Sequence, residues 1–141
     1  MSQVRPPLVA DLAWLGEMRF RVRTGENQML VDGDSVAGPS PVQALAFALA
    51  SCMASDVVHI LGKQRQELKN LTAHLIGWRA DEEPRRLTRI DLKFRLSGDI
   101  ASDKIERALA LSREKYCSVW HSLRPEIDFT VAYDLATPSD G

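Results

Sequence analysis

The sequence predicts a single α+β domain over residues 1–141, a length typical of one domain. Apolar and charged residues alternate along residues 90–96, IDLKFRL, as in a half-buried strand. By contrast, residues 40–62 are apolar or small on nearly every side, which is typical of a core helix. The predicted strands occur in runs instead of alternating with helices. This order favours antiparallel pairing and the α+β class over a doubly wound sheet.

Three predicted strands precede the long helix. The first covers residues 8–14, and the second is marked by apolar residues that alternate with arginines over residues 18–23. A turn follows at Gly25, and residues 29–32 form a short third strand. The next segment, GDSVAGPS, has the composition of a loop and leads into the helix.

The long helix has a well-marked start. Ser40 and Gln43 have the spacing of a capping box with Pro41 at the first helical position, and Gly62 offers a left-handed stop. One small sheet covers only one side of a helix that is apolar all round. We therefore expect an intertwined homodimer with the helices of residues 41–62 near the interface. The helix's many alanines would let their backbones approach closely.

The chain after this helix predicts two further strands. They cover residues 71–79 and the alternating segment around residues 90–96, and the loop of residues 81–86 joins them as a hairpin. Residues 97–99, Ser-Gly-Asp, are expected to end the second strand.

A second helix and a last strand complete the predicted order β-β-β-α-β-β-α-β. Asp103 and Glu106 have the spacing of a second capping box. The helix that follows is amphipathic, and its predicted inner face consists of Ile105, Ala108, Leu109, Ser112 and Tyr116. Residues 127–133 alternate again and form the last strand.

Composition and charge predict a soluble, cytoplasmic protein. The net charge of −1 gives no reason to expect binding to nucleic acid or to an anionic membrane. The N-terminal residues lack the basic and apolar regions of a signal peptide. The uncharged run of the long helix ends at Asp56, so we expect it to be too short to span a bilayer. In such a compartment the two cysteines are expected to be reduced or redox-active.

Cys52 and Cys117 are the candidate reactive residues. Each alone could be a small core hydrophobe. Cys52 lies in the middle of the first helix and Cys117 at the end of the second, so the two sulfurs can bond if these parts of the helices meet. A reactive Cys52 must be a thiolate, and it lies too far along its helix for the helix dipole to help. A cation would have to come from elsewhere, and the arginines of residues 19–23 are candidates unless they form only the exposed face of a strand.

Other uses of these residues stay open. His121 follows Cys117 by four residues and could form a Cys–His pair, although no third orienting residue is evident. A zinc set of both cysteines with His59 and His121 matches no common ligand spacing. An apolar pocket around the long helix could instead bind a lipophilic ligand, and the two thiols could act as a redox sensor.

Two segments together resemble the OsmC/Ohr family. They are SPVQALAFALASCMASDVV in the first helix and LSREKYCSV far downstream, with strands before and between them. The resemblance covers nearly the whole chain and is strongest to the OsmC-like branch. It implies an intertwined homodimer of α+β subunits with long central helices at the interface.

The resemblance also implies a thiol peroxidase that reduces organic hydroperoxides in stress defence. Cys52 would be the peroxidatic thiolate, Cys117 the resolving cysteine, and an external dithiol the reductant of their disulfide. No metal, haem or flavin is required.

One position departs from the family's peroxidases. They carry an Asn-Pro-Glu sequence ten residues before the reactive cysteine, and its Glu holds an Arg against the thiolate. Here the corresponding residues are Ser40, Pro41 and Val42. Gln43 is adjacent and becomes a candidate site residue, and Arg19 is the candidate for the arginine.

Overall fold

The computed structural model describes residues 4–136, and within them the predicted order of elements is confirmed. The strands are β1 (Asp11–Gly16), β2 (Arg19–Thr24), β3 (Asn27–Asp32), β4 (Glu67–Arg79), β5 (Leu87–Asp99) and β6 (Asp128–Ala136). The helices are α1 (Pro41–Lys63), α2 (Ser102–Leu111), a π-helical turn (Ser112–Tyr116) and the short α3 (Ser118–His121). The chain forms two compact units, one up to Leu45 and one from Ala46. That residues 1–141 form a single domain stays a prediction.

The first unit contains an antiparallel sheet in the order β1-β2-β3. One face is apolar, since Trp14 pairs with Phe20 and Phe20 pairs with Val31. Trp14 keeps 68% of its surface exposed in the single chain. The β3 strand ends at the buried Asp32, and the loop after it leads to α1.

The start of α1 has the predicted capping box. The Ser40 N–H donates to Gln43 Oε1 over 2.9 Å, and the Gln43 N–H donates to Ser40 Oγ over 3.2 Å. The predicted stop at Gly62 is wrong, because the helix continues to Lys63. Arg65 takes the left-handed position with φ 56°, and the Arg65 and Gln66 N–H groups bond back to the last turn as in a Schellman motif.

Within one chain, α1 buries a single stripe. The fully buried residues recur every four positions, at Leu49, Met53, Val57 and Leu61. Phe47 and Val58, on other faces of the helix, remain 63% and 51% exposed. One chain therefore covers only one side of α1, as the sequence leads us to expect for a helix whose other faces are predicted to lie at a dimer interface.

The expectation that α1 is too short for a membrane also needs correction. The helix is long and apolar enough to cross one by length and composition alone, since Asp56 does not reduce its hydropathy enough to exclude it. The core helix of a soluble protein passes the same test, and the buried stripe of α1 is such a core face. The structure is compatible with a soluble protein.

The second unit contains the core. Its sheet has the order β4-β5-β6, and β5 points Ile90, Leu92, Phe94 and Leu96 into one cluster with the buried stripe of α1. The predicted break at residues 97–99 is wrong because β5 continues to Asp99. Gly98 instead adopts φ +138° beside a bulge in β4, where a Cβ would collide with the Glu67 carbonyl.

The pairing of the last strand differs from the antiparallel pairing that the sequence predicts. The β4 and β5 strands are antiparallel, but β6 pairs with β5 in parallel. Parallel neighbours need a long crossover, and the connection through α2, the π-helical turn and α3 provides it.

The α2 helix starts differently from the predicted capping box. It begins at Ser102, and its N-cap Ala101 has no side-chain cap bond, so Asp103 lies in the first turn instead of at the cap. Its buried face includes Ile105, Ala108 and Leu109 as predicted. Tyr116 is 48% exposed, however, because the π-helical turn has a longer repeat and changes the phase of the helix before that residue.

Candidate active site

Cys52 and Cys117 meet in the second unit. Cys52 lies halfway along α1, and Cys117 lies between the π-helical turn and α3. Both are free thiols, and Cys52 packs against the cluster that contains Cys117, close enough to help raise the pKa of its thiol. Cys52 is half-buried at the edge of the core cluster, whereas Cys117 is fully buried within it. The fold therefore brings the two candidate cysteines into one neighbourhood.

The surroundings of Cys117 favour its neutral thiol. Burial raises the pKa of Cys117 to about 11, the neighbouring Cys52 and the Asp56 carboxylate act in the same direction, and the Trp120 N–H opposes them. That N–H donates to Cys117 Sγ over 3.4 Å at the start of α3. The Cys117 N–H itself donates to the Ser112 carbonyl over 2.7 Å, which closes the π-helical turn.

Asp56 and Ser112 are part of this site, although the sequence analysis did not assign them to it. Ser112 Oγ donates to Asp56 Oδ2 over 2.7 Å, which links α1 to the π-helical turn. A signal was present in the sequence. Ser112 is a polar residue on the apolar face of an amphipathic helix, and a buried hydroxyl requires a partner.

Aromatic and basic side chains flank the Cys117 segment. The Trp120 and Phe129 rings lie 4.6 Å apart, and the Arg113 guanidinium lies 5.0 Å from the centre of the Phe129 ring. The His121 ring makes its contact with the Arg113 carbonyl, at 3.0 Å from Nε2. Among residues 4–136 no three His, Cys, Asp or Glu side chains form a group that could hold a metal ion.

The other two candidate residues lie in the first unit. Arg19 Nε lies 3.8 Å from Asp32 Oδ2, and the Asp32 pKa is lowered mainly by N–H groups of the loop, that of Ala37 first, with Arg19 adding to the effect. Gln43 Oε1 accepts from the Ser40 N–H and from Ser35 Oγ, so its oxygen serves the helix cap. Roles in catalysis for Arg19 and Gln43 stay predictions.

Comparison with known proteins identifies the family. Residues 32–132 match the family model described as OsmC-like protein. The chain belongs to the OsmC family. Protein YhfA of Escherichia coli K12 is 37% identical to this OsmC-family chain over 135 residues, which cover 94% of the chain and 97% of YhfA. The residues matched by the family model include both Cys52 and Cys117.

Solved structures share the OsmC fold. A hypothetical protein from Aquifex aeolicus VF5 superposes with a TM-score of 0.87 at 28% identity, over 94% of this chain and 98% of that one. An organic hydroperoxide resistance protein from Legionella pneumophila superposes with a TM-score of 0.70 at 16% identity, over 94% and 99% of the two chains. The recognition of an OsmC-like α+β fold from the sequence is thereby confirmed.

Proposed function

We propose that this OsmC-family protein is a cytoplasmic, cysteine-dependent peroxidase that reduces organic hydroperoxides. The observation that carries the proposal is the proximity of two free thiols of unequal burial in one cluster. A half-buried Cys52 can receive a substrate, while a fully buried Cys117 is protected until it is needed. The fold shared with a protein named for organic hydroperoxide resistance supports the substrate class.

The proposed cycle has three steps. The Cys52 thiolate attacks the terminal oxygen of the hydroperoxide, the O–O bond breaks, and the alkoxide takes a proton to leave as an alcohol. The Cys52 sulfenic acid then condenses with the Cys117 thiol, forming the S–S bond and releasing water. An external dithiol reduces this disulfide by exchange and becomes a disulfide itself. The chemistry requires no metal, haem or flavin.

In this proposal Arg19 keeps the role that the family resemblance gives it. Valine at position 42 leaves the chain without the acid that orients this arginine in the family's peroxidases. The ion pair with Asp32 supplies an acidic partner from within the first unit. Asp32 is itself held by loop N–H groups, so its carboxylate is well fixed.

We also propose that the protein is a homodimer. The α1 helix leaves Phe47 and Val58 exposed in the single chain, and the apolar face of the first sheet leaves Trp14 exposed. A second copy would remove these large apolar side chains from water, at roughly 25 cal/mol per Å² buried. Size-exclusion chromatography with light scattering should give twice the chain mass of 15.7 kDa.

Turnover of a hydroperoxide tests the proposed activity. Purified protein with a dithiol should consume cumene hydroperoxide, and Cys52→Ser should reduce the rate at least about a thousandfold because it removes the nucleophile. Ser55→Ala is a matched variant in the same helix, because its exposed hydroxyl donates to the Ser51 carbonyl and its loss keeps both thiols and the helix cap. No consumption by the wild-type protein, or full activity of Cys52→Ser, would show that the proposal is wrong.

A second candidate function is binding of a lipophilic ligand without catalysis. The observation that favours it is Val42, an apolar residue where the family's peroxidases carry an acid. In that case a fluorescent fatty acid should bind equally to the wild-type protein and to Cys52→Ser, and neither should consume hydroperoxide. A redox sensor would instead form the Cys52–Cys117 disulfide once per oxidant molecule without turnover.

A further inference from the structure

The hydrogen bond between Asp56 and Ser112 connects the two segments that carry the thiols. Asp56 follows Cys52 by four residues, so the two side chains lie on one face of α1. Ser112 donates its hydroxyl to Asp56 and accepts the Cys117 N–H at its carbonyl oxygen, both over 2.7 Å. Cys52 is therefore linked to this hydrogen bond through one turn of α1, and Cys117 is linked to it through its own backbone bond to Ser112.

We propose that Asp56 and Ser112 are positioning residues for disulfide formation, because their hydrogen bond holds the π-helical turn against α1 and so keeps Cys117 within reach of Cys52. The place of this step in a peroxidase cycle rests on the proposed function. The disulfide equilibrium itself does not, since it can be measured without any hydroperoxide.

The burial of Ser112 and the charge of Asp56 make the hydrogen bond between them strong. Ser112 is fully buried, and its partner is a carboxylate, so the hydrogen bond is charge-assisted and about twice as strong as a neutral one. Within the turn, the Cys117 N–H bonds to the residue five positions earlier, a geometry that is rare in proteins. The hydrogen bond from Ser112 to Asp56 fixes this turn at its first residue.

The position of the turn matters because it sets the effective concentration of one thiol near the other. Well-oriented groups within one molecule react as if they were present at very high concentration, and small displacements reduce this advantage steeply. When Cys117 attacks the Cys52 sulfenic acid, the S–S bond forms, the S–O bond breaks, and the oxygen leaves as water with the Cys117 proton. A looser turn would slow this step and leave the first oxidation of Cys52 unchanged.

Equilibration with glutathione tests the proposal on the full chain. The two thiols and oxidised glutathione give the protein disulfide and two reduced glutathione molecules. For Ser112→Ala we expect the equilibrium constant to fall about tenfold, which raises the reduction potential by about 30 mV. Asp56→Ala should give the same loss. Asp56→Asn keeps an oxygen that can accept the Ser112 hydroxyl, so it should stay within about threefold of the wild-type value.

Ser122→Ala is the matched control. Its hydroxyl lies beyond Cys117, is exposed, and donates to the Ser118 carbonyl over 2.8 Å, without contact to Asp56. The proposal is wrong if Ser112→Ala and Asp56→Ala keep the wild-type constant, or if Ser122→Ala lowers it equally. If Ser112→Ala does not fold, Asp56→Ala decides.

Trapping of the sulfenic acid separates positioning from general damage. With cumene hydroperoxide and dimedone, Ser112→Ala should form the Cys52 sulfenic acid at the wild-type rate but convert it to disulfide about tenfold more slowly. Equal slowing of both steps would overturn a positioning role. A wild-type protein that does not react with hydroperoxide would contradict the proposed function, and the glutathione measurement would still decide on Asp56 and Ser112.

Discussion

The two cysteine segments of this protein are built in different ways. Cys52 lies in the middle of a long, regular α-helix that begins with a complete capping box. Cys117 lies in a break between a π-helical turn and a four-residue helix, where its N–H and its sulfur are both engaged by neighbouring backbone groups. Cys52 is partly accessible, and Cys117 has no exposed surface.

The difference supports the proposed division of labour between two chemically identical residues. A regular helix holds Cys52 at the edge of the core, half-buried, where the proposed cycle needs it to meet a substrate. The irregular segment holds Cys117 as a neutral thiol, since its pKa is raised by burial first and then by Cys52 and Asp56. Three variants test this comparison.

Cys117→Ser should have the largest effect of these. If Cys117 only resolves the sulfenic acid, the variant should still oxidise Cys52 once but lose at least about a hundredfold in dithiol-supported turnover. Mass spectrometry after one equivalent of hydroperoxide should find a persistent sulfenic acid on Cys52. Wild-type turnover in Cys117→Ser would contradict the assigned roles.

Alkaline pH should destabilise the reduced protein through Cys117. The folded state raises its pKa from an ordinary value of 9.0 to about 11, so the unfolded state ionises first as pH rises. The stabilisation from the neutral Cys117 thiol is complete below the ordinary pKa and is lost as the pH rises toward the pKa of the folded state. The free energy of unfolding should fall by about 2 kcal/mol between roughly pH 8 and pH 10.5.

Urea unfolding with a reductant measures this loss. Cys117→Ser should show a flatter pH dependence than the wild-type protein, because other groups titrate equally in both. The same slope in the two proteins would mean that Cys117 is not held as a neutral thiol.

The smallest expected effect concerns the helix starts. Ser40→Ala should destabilise α1 by about 1 kcal/mol, because it removes the acceptor of the Gln43 N–H at the cap. Asp103→Ala should reduce the free energy of unfolding by less than about half of that amount. The α2 helix has no side-chain cap bond, so Asp103 contributes only its interaction with the helix dipole. Thermal unfolding followed by circular dichroism compares them. A larger loss for Asp103→Ala would contradict the assigned caps.

The predictions that succeeded came from patterns within a few residues. The Ser40–Gln43 capping box, the alternation along β5 and the order of the elements follow from side-chain chemistry and periodicity alone. Two predictions of helix ends failed. Asp103 has capping spacing without a cap bond, and Gly62 lies inside a helix whose left-handed residue is Arg65.

The sequence by itself determined the local elements, the family and the two thiols that could react. Only the tertiary structure decided that β6 lies parallel to β5, that α1 buries one stripe within the chain, and that Asp56 bonds to Ser112. The physical reason is separation along the chain. Asp56 and Ser112 are 56 residues apart, and no local propensity specifies such a partner. That contact exists because packing brings α1 and the π-helical turn together, and the same packing brings Cys52 to Cys117.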